Sequence, residues 1–360
     1  MRHSPEPAVV TWAPGRVNLI GEHTDYSGGL VLPVAIQLGI TLEVLAGAEE
    51  ITLTSSVFES AESFAADGSG PAVRGWARYA QAVAAELALV GRPPVGLTGS
   101  LSSDLPAESG LSSSAALEVA VALALCAVAG FELEPLQLAL ACQRAELRAV
   151  GVPCGILDQA ACLLGRDGAA ILLDCGTLEH RLIPVPAGAG LLIADSGIDR
   201  SLEHTAYAER RAQLEHALRL VGAARSTEVG LSALRGLDDV SCRRLRHVVT
   251  ENERVRQFAA ALEHDDLAAA GRLLGESHAS LRDDYEVSIP ELDLLVELAE
   301  AAGAYGARLL GAGFGGSVLV LTDADRTDEV AGTVAAEYRR QTGRGGRAHA
   351  VHPSSGAVVR

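Results

Sequence analysis

Four side chains able to do chemistry stand close together in the segment GEHTDYSGG, residues 21–29, which lies between the apolar runs VNLI and LVLP. The polar residues are Glu22, His23, Asp25 and Tyr26. Carboxylates accept hydrogen bonds from vicinal hydroxyls and a histidine can donate or accept one, so the segment could bind a polyhydroxylated ligand. A metal site is a second interpretation, although the spacing is not HExxH and neighbours on an extended segment point to opposite faces. A solvated turn closed by the two glycines is the third.

The segment LPAESGLSSSAALEVA, residues 105–120, has the composition of an anion-binding loop. A glycine and three serines lead directly into a predicted helix whose body begins near Ser114. The free N–H groups and the positive dipole end of such a helix start favour an anion, and serine hydroxyls can bond phosphate oxygens or a metal. Because one serine is enough for an ordinary helix cap, the stretch favours phosphate binding.

A second glycine-rich segment, GAGFGGS at residues 311–317, formally matches GxGxxG through Gly311, Gly313 and Gly316. A dinucleotide-binding loop needs a strand before the glycines and a helix after them. Here a predicted strand, SVLVLTD, follows, so we do not expect a dinucleotide site. A glycine loop that enters a strand still fits close approach of its backbone to another loop or to a ligand.

Two further carboxylates occupy positions whose role the residues alone leave open. Asp158, in CGILDQ, lies in a short apolar segment that follows Pro153 and Gly155. An acid in the first turn of a helix is favoured by the dipole without any catalytic role. Glu146, on the predicted helix 134–149, has the pattern of an exposed acid paired with a neighbouring arginine.

The composition excludes several classes of partner and mechanism. The net charge of −17 argues against nucleic acid and against an anionic membrane surface. All 29 basic residues are arginine. Without lysine there can be no GxxxxGK[ST] phosphate loop and no Schiff-base lysine. A bound nucleotide must therefore be held by backbone N–H groups, helix termini, arginine or metal.

The predicted elements indicate an α+β protein. Short β-branched runs predict strands, and apolar residues at helical spacing predict helices, which dominate the second half. Strands and helices follow in a mixed order that suggests α+β layers and not a regular βαβ alternation. The predicted helices span residues 74–90, 114–129, 134–149, 203–222, 242–263, 266–280, 290–303 and 327–341.

The cysteines and the N-terminal residues bear on the compartment. Six cysteines without a CxxC pair predict reduced thiols, and MRHSPEPAVV lacks an apolar signal core. The most apolar run, residues 115–130, is interrupted by Glu118 and too short to span a bilayer. We expect a cytoplasmic monomer that binds small molecules.

Seven stretches, in order along nearly the whole chain, resemble one enzyme family. GRVNLIGEHTDYSGG is similar to the galactokinase signature, and GLSSSAALE and GAGFGGS resemble the second and third motifs of the GHMP small-molecule kinases. The remaining stretches are similar to galactokinases specifically: CGILDQ at 154–159, YAERRAQLEHA at 207–217, HVVTENERV at 247–255 and SHASLRDDYEVSIPELD at 277–293.

The resemblance implies a two-domain GHMP kinase fold. Residues 1–188 would form a ribosomal-S5-like N-terminal domain and residues 189–360 a ferredoxin-like C-terminal domain. The implied reaction transfers the γ-phosphoryl group of ATP, with Mg2+, to the anomeric hydroxyl of D-galactose and gives α-D-galactose 1-phosphate. Two alternatives stay open: a kinase for a related sugar such as N-acetylgalactosamine or arabinose, and a non-catalytic sensor of galactose and ATP. The intact serine motif favours an enzyme.

The resemblance also assigns roles to residues. Asp158 matches the catalytic base and Arg16 the group that steadies it. The positions matching the sugar site are Glu22, His23, Thr24, Asp25, Gly155 and Tyr207. The positions matching the ATP loop are Glu108, Ser109, Gly110, Leu111, Ser112, Ser113 and Ser114, and those matching the magnesium site are Ser114 and Glu146.

The chain departs from the family pattern at two positions just before the motif GLSSS. The family usually has glycine and a small residue where this chain has Glu108 and Ser109. An acid beside bound triphosphate would repel it, so we predict that Glu108 faces outward. Tyr26 is predicted to pack beneath the sugar site and not to bind the sugar.

Overall fold

The computed structural model of this chain describes residues 9–106, 110–151, 154–198, 203–344 and 346–360, with the backbone alone for 203–205. The strands are β1 (Val9–Asn18), β2 (Leu30–Val31), β3 (Pro33–Ala48), β4 (Glu50–Ser55), β5 (Ser60–Ala65), β6 (Gly96–Ser103), β7 (Ala169–Asp174), β8 (His180–Pro184), β9 (Ala189–Asp195), β10 (Gly306–Leu310), β11 (Ser317–Asp323), β12 (Arg347–Val351) and β13 (Val358–Val359). The helices are α1 (Ala77–Leu89), α2 (Ser113–Ala129), α3 (Pro135–Val150), α4 (Leu157–Leu164), α5 (Glu203–Leu220), α6 (Asp239–Glu263), α7 (Leu267–Asp283), α8 (Pro290–Ala301) and α9 (Thr327–Thr342).

Three sheets carry the strands, and the predicted α+β class is confirmed. The largest has the order β13-β1-β3-β6-β4-β5, in which only the β4–β6 pairing is parallel among the described strands. A four-stranded antiparallel sheet has the order β10-β11-β9-β12, and a three-stranded one has the order β2-β7-β8. Because β13 pairs with β1, the last strand returns to the first sheet. The division at residues 188 and 189 stays a prediction.

Helix α2 forms the centre of the core beside the six-stranded sheet. It contacts β1, β3, α1, α3 and α4, so nearly every side of it is covered. Its sequence is rich in alanine, leucine and valine, which suits a helix that has no solvent face. Gly130, at a φ of 59°, ends the helix in the left-handed conformation that glycine adopts without steric cost.

The second half of the chain packs helices against the four-stranded sheet. Residues of β9, β10 and β11 form a core with α5 to α9, in which Tyr285 and Tyr338 are fully buried. Helix α6 is the longest and carries the buried polar residues His247, Glu251 and Asn252 in its middle. None of the helices in the described ranges is long and apolar enough to cross a membrane.

Candidate active site

A cavity of about 340 Å³ opens where three loops of the chain meet. We call them the acidic turn (residues 21–29), the serine loop (residues 110–114) and the glycine loop (residues 311–317). The cavity is also lined by the start of α4 and by Tyr207 of α5. Predicted site residues on its wall are Arg16, Glu22, His23, Asp25, Gly110, Leu111, Ser112, Ser113, Ser114, Glu146, Gly155, Asp158 and Tyr207.

An ion pair between Arg16 and Asp158 lies on the wall of this cavity. Arg16 lies on β1 beside a register shift in the pairing with β3, and it is 8% exposed. Its Nε donates to Asp158 Oδ1 at 2.7 Å, and its Nη1 donates to the carbonyl oxygen of Gly110 at 2.8 Å. The hydroxyl of Ser112 donates to the other oxygen of Asp158. The carboxylate is therefore held in one orientation by two elements distant in sequence.

The charge of Arg16 is secured by its surroundings. Burial acts to lower the pKa of the guanidinium, but the charges of Asp158 and Glu22 outweigh it and leave the pKa raised. The cation thus stays protonated in a water-poor site, where a fixed positive charge acts more strongly than in bulk water.

The serine loop is shaped to present the start of α2 to the cavity. Gly110 has a φ of 74°, and Ser112 has a φ of 57°, which is uncommon for a residue other than glycine. Ser112 occupies the N-cap position, yet its side chain makes no cap hydrogen bond because its hydroxyl is bonded to Asp158. The first N–H groups of the helix stay available for an anion, as the glycine and serine pattern predicts.

Ser114 and Glu146 come together on the same side of the cavity. Ser114 Oγ donates to Glu146 Oε1 at 3.0 Å. The other oxygen of Glu146 accepts from Gln159 Nε2 at 2.8 Å and from Cys154 Sγ at 2.9 Å. The interpretation of Glu146 as an exposed acid paired with an arginine is wrong, because α3 turns this residue toward α2 and α4.

The hydroxyl of Ser114 and the carboxylate of Glu146 fit a magnesium ion. Both supply oxygen, which Mg2+ prefers, and a protein often gives it only one or two carboxylates while waters and substrate phosphates complete the shell. No group of three or more histidine, cysteine, aspartate or glutamate residues in the described part of the chain could hold a metal.

Glu22 anchors the acidic turn to the glycine loop. Its Oε1 accepts from the backbone N–H of Gly311 at 2.8 Å and from Arg308 Nη2 at 3.2 Å, while its Oε2 accepts from Asn18 Nδ2 at 3.1 Å. Arg308 is fully buried and also donates to the carbonyl oxygen of Leu19 at 2.8 Å. Both carboxylate oxygens thus have protein partners, and Oε2, which has a single donor, can accept one more hydrogen bond.

His23 is fixed as one tautomer. Its Nε2 lies 3.1 Å from the carbonyl oxygen of Ala312, which can only accept, so this nitrogen carries the proton. Burial lowers the pKa of the imidazole to about 4, and the neutral ring therefore accepts from the Tyr26 hydroxyl through Nδ1 at 2.9 Å. The Tyr26 oxygen in turn accepts from Tyr285 at 2.8 Å. This chain of hydrogen bonds ties the acidic turn to the glycine loop. Tyr26 lies on the cavity wall, not beneath it, and its hydroxyl is engaged by His23 and Tyr285.

The other predicted sugar-site residues divide into two groups. Asp25, Gly155 and Tyr207 face the cavity. An added side chain at Gly155 would overlap the Asp25 carboxylate, so glycine is required for the close approach of these two segments. Thr24 is fully buried and does not line the cavity; its hydroxyl lies 2.8 Å from the carbonyl oxygen of Gly21. Its position points to a role in shaping the turn.

In the protein without bound sugar, the Asp25 carboxylate should lower the free energy of unfolding at neutral and higher pH. Burial, followed by the charges of Asp158 and Glu22, raises the pKa of its carboxyl group to about 7. The folded state therefore binds more protons than the unfolded state between the ordinary carboxyl pKa and about pH 7, so stability falls as pH rises through that window. We predict that Asp25→Asn raises the Tm of the sugar-free protein by about 3 °C or more at pH 8.

Thermal unfolding of wild type and Asp25→Asn at several pH values tests this prediction. The difference in Tm should shrink toward zero at about pH 4, where the folded wild-type carboxyl is already protonated. A difference that stays constant from pH 4 to pH 8 would contradict it. Each pH serves as its own control, because all other titrating groups are common to the two proteins.

The glycine loop joins two strands, β10 and β11, as a hairpin connection. The strand predicted after the glycines is confirmed as β11, at the place where a dinucleotide-binding loop would need a helix. Gly313 has a φ of 83° and lies against the carbonyl oxygen of Val287, with no room for a side chain. The close backbone approach that the sequence indicates is therefore to the acidic turn and to the segment after α7.

Several residues that hold the acidic turn were not predicted from the sequence. Glu251 accepts from the backbone N–H of Gly21 at 3.0 Å and from Ser277 Oγ at 2.6 Å. Asn252 accepts from the N–H of Leu30 at 2.8 Å. Both belong to the stretch HVVTENERV, which the family resemblance singles out without a role. Glu108 and Ser109 lie outside the described residues, so the orientation of Glu108 stays a prediction.

Three family models match the chain. The galactokinase galactose-binding signature matches residues 2–44, the GHMP kinases N-terminal domain matches residues 77–166, and the GHMP kinases C-terminal domain matches residues 258–340. The first covers the acidic turn, the second covers the serine loop, Glu146 and Asp158, and the third covers the glycine loop.

Curated relatives are similar over nearly the full length. Galactokinase of Roseiflexus sp. is 40% identical, with 97% of this chain and 92% of that protein covered. Galactokinase of Thermococcus kodakarensis is 41% identical, with 97% and 99% covered, and that of Bos taurus is 42% identical, with 92% and 88% covered.

Solved structures agree. The Lactococcus lactis galactokinase crystallised with galactose superimposes with a TM-score of 0.93 at 32% identity, covering 99% of this chain and 96% of that one. A mevalonate kinase, at a TM-score of 0.70 and 19% identity over 95% of this chain and 98% of that one, shares the fold.

Proposed function

Because the chain belongs to the galactokinase family of the GHMP kinases, we propose that it transfers the γ-phosphoryl group of ATP to the anomeric hydroxyl of D-galactose. The product is α-D-galactose 1-phosphate. The observation that carries the proposal is the Arg16–Asp158 pair, which lies in one cavity with the acidic turn on one side and the start of α2 on the other. A sugar and a triphosphate can meet only where both binding surfaces face the same space.

Asp158 acts on the sugar hydroxyl. Its carboxylate faces the cavity, and Arg16 and Ser112 fix its two oxygens, so it can accept or orient a proton without moving. Arg16 remains positive and supports the transferring phosphoryl group, whose charge is spread over three oxygens. Phosphoryl transfer depends on position and charge more than on covalent chemistry, and this pair supplies both.

The sugar is bound by Asp25, Glu22, Tyr207 and the backbone near Gly155. Asp25 projects into the cavity next to Gly155, and a bound hydroxyl would donate to its carboxylate. The ring centroids of Tyr207 and His23 lie 5.8 Å apart, and the two rings form an apolar wall for the C–H face of a sugar. Both nitrogens of His23 are already bonded to protein, so its main role in this arrangement is to hold the turn.

The serine loop and the start of α2 hold the phosphates of ATP. The chain has no lysine, so backbone N–H groups, serine hydroxyls and Arg16 must do what a lysine does in other nucleotide sites. Ser114 and Glu146 would hold Mg2+, which neutralises charge on the phosphates when bound. We propose that the protein acts as a monomer in the cytoplasm, a location with which the six free cysteines agree.

A panel of sugars with ATP tests the proposal. We expect ADP release with galactose, its loss in EDTA and its recovery when Mg2+ is added. N-acetylgalactosamine, arabinose and glucose serve as comparison sugars at equal concentration. Faster turnover of any of these than of galactose would overturn the specificity, and binding of galactose without ADP release would indicate a sensor.

A further inference from the structure

A buried pair of polar side chains lies behind the Ser114–Glu146 site and has no part in the proposed mechanism so far. Glu118 is on α2, one turn after Ser114, and Gln159 is on α4, next to Asp158; both are fully buried. Gln159 Nε2 donates to Glu118 Oε2 at 3.0 Å and to Glu146 Oε2 at 2.8 Å. Both hydrogens of the amide are therefore used.

Two oxygens of this pair are left without a partner. Glu118 Oε1 and Gln159 Oε1 are buried, and neither has a hydrogen bond to any described residue. Reversing the amide would place the Gln159 oxygen against the carboxylate oxygens of Glu118 and Glu146, where an acceptor would meet acceptors. The observed orientation of the Gln159 amide is therefore the favourable one. The two unpartnered oxygens need another explanation, because a buried polar atom without a hydrogen bond is energetically costly.

A single proton supplies the missing donor. If Glu118 carries a hydrogen on Oε1, it can donate to Gln159 Oε1 while its Oε2 accepts from Gln159 Nε2, and both orphan oxygens are satisfied at once. We infer that Glu118 is a neutral carboxylic acid paired head to tail with the Gln159 amide, and that this pair positions Glu146 for the magnesium ion.

The electrostatic surroundings agree with a neutral Glu118. Burial, followed by the charge of Glu146, raises the pKa of Glu118 well above its usual range. The charged groups near it are the carboxylates of Glu146 on α3 and Asp158 on α4. The other titratable neighbours are the thiols of Cys142, Cys154 and Cys162 and the phenol of Tyr79, all neutral groups whose own pKa values are raised. Arg16 is bonded to Asp158 and no hydrogen bond links it to Glu118, so a charge on Glu118 would have no cation of its own among the described residues.

Two substitutions separate the acid–amide pair from an ordinary buried carboxylate. Glu118→Gln keeps one donor and one acceptor in the same outline, so we expect turnover and Mg2+ requirement within about threefold of wild type. Glu118→Met keeps the length but releases Gln159, and the Mg2+ concentration for half-maximal activity should rise about tenfold, as when the partner of a metal ligand is removed. Glu118 and Gln159 are positioning residues, so the main change should be in the Mg2+ requirement.

The activity measurements of this inference rest on the proposed function. Two further measurements need no ATP, sugar or metal, so they test the inference separately. In EDTA, Glu118→Met should lower the Tm by about 2–4 °C, while Glu118→Gln should leave it within about 1 °C. The infrared difference between wild type and Glu118→Gln at pH 7 should show the carbonyl stretch of a protonated carboxyl group in wild type only. Absence of that band, equal damage by both substitutions, or a harmless Glu118→Met would each overturn the inference.

Discussion

Replacing Asp158 with asparagine is expected to lower the turnover of galactose by about 10²- to 10⁴-fold, the usual contribution of a positioned general base. The amide keeps an oxygen for Arg16, whose Nε is 2.7 Å from Asp158 Oδ1, so the outline of the site changes little. It cannot take a proton from the sugar hydroxyl. If turnover falls while galactose and ATP both still bind, the loss reflects the chemical step and not a change in the structure of the site.

Turnover of Asp158→Asn is measured by ADP release, and binding of each substrate by calorimetry. Asp174→Asn is the matched control, because Asp174 is also a half-buried acid that accepts hydrogen bonds, from the backbone N–H groups of Gly176 and Thr177, but it lies outside the cavity. Turnover of Asp158→Asn within about tenfold of wild type, or about 1.4 kcal/mol of barrier, would rule out the role of a base.

Gly155→Ala should damage the use of galactose while sparing that of ATP. The new methyl group would overlap the Asp25 carboxylate, so either the acidic turn or the start of α4 must move. A displacement of about 1 Å in a reacting geometry can cost about 100-fold, and we expect a loss of that size in kcat/KM for galactose. The KM for ATP should change little, because the three atoms nearest to the added methyl group all belong to Asp25 of the acidic turn and none to the serine loop.

Initial rates with each substrate varied in turn test the effect of Gly155→Ala. Gly332→Ala is the control, since Gly332 lies on helix α9 with open space where the methyl group would go. That change should leave both KM values alone and stabilise the helix by about 0.5–1 kcal/mol. If Gly155→Ala raises the KM for ATP as much as that for galactose, Gly155 does not act on the sugar side.

Helices were predicted from the sequence more fully than strands. The helix predicted at 114–129 is observed at Ser113–Ala129, because a buried alanine-rich run bounded by serines and Gly130 has few alternatives. The 16-residue strand β3 was not predicted. Its glycines, Gly39 and Gly47, suggest turns, and its start is buried on both faces, so no alternation marks it. The polar strand β5 owes its form to β4, which a local pattern does not reveal.

The site was predicted in its parts but not in its connections. Local motifs identified the acidic turn and the serine loop, because their residue types and glycines are unusual in a short window. Glu146 was misjudged from its helix alone, since its partners Ser114 and Gln159 come from two other helices. Arg308 gave no signal, because a single sequence does not show that an arginine is fully buried.

The hydrogen bonds that hold the acidic turn come from residues far along the chain, and this affects when the turn can fold. The turn is held by Glu251, 230 residues from its partner Gly21, and by Gly311, 289 residues from Glu22. Contacts between such distant residues form late, because long loops must close before any gain is realised. A ribosome therefore makes the turn early and its supports much later. Until the residues around β10 have been synthesised, the acidic turn lacks the hydrogen-bond partners that fix its native conformation.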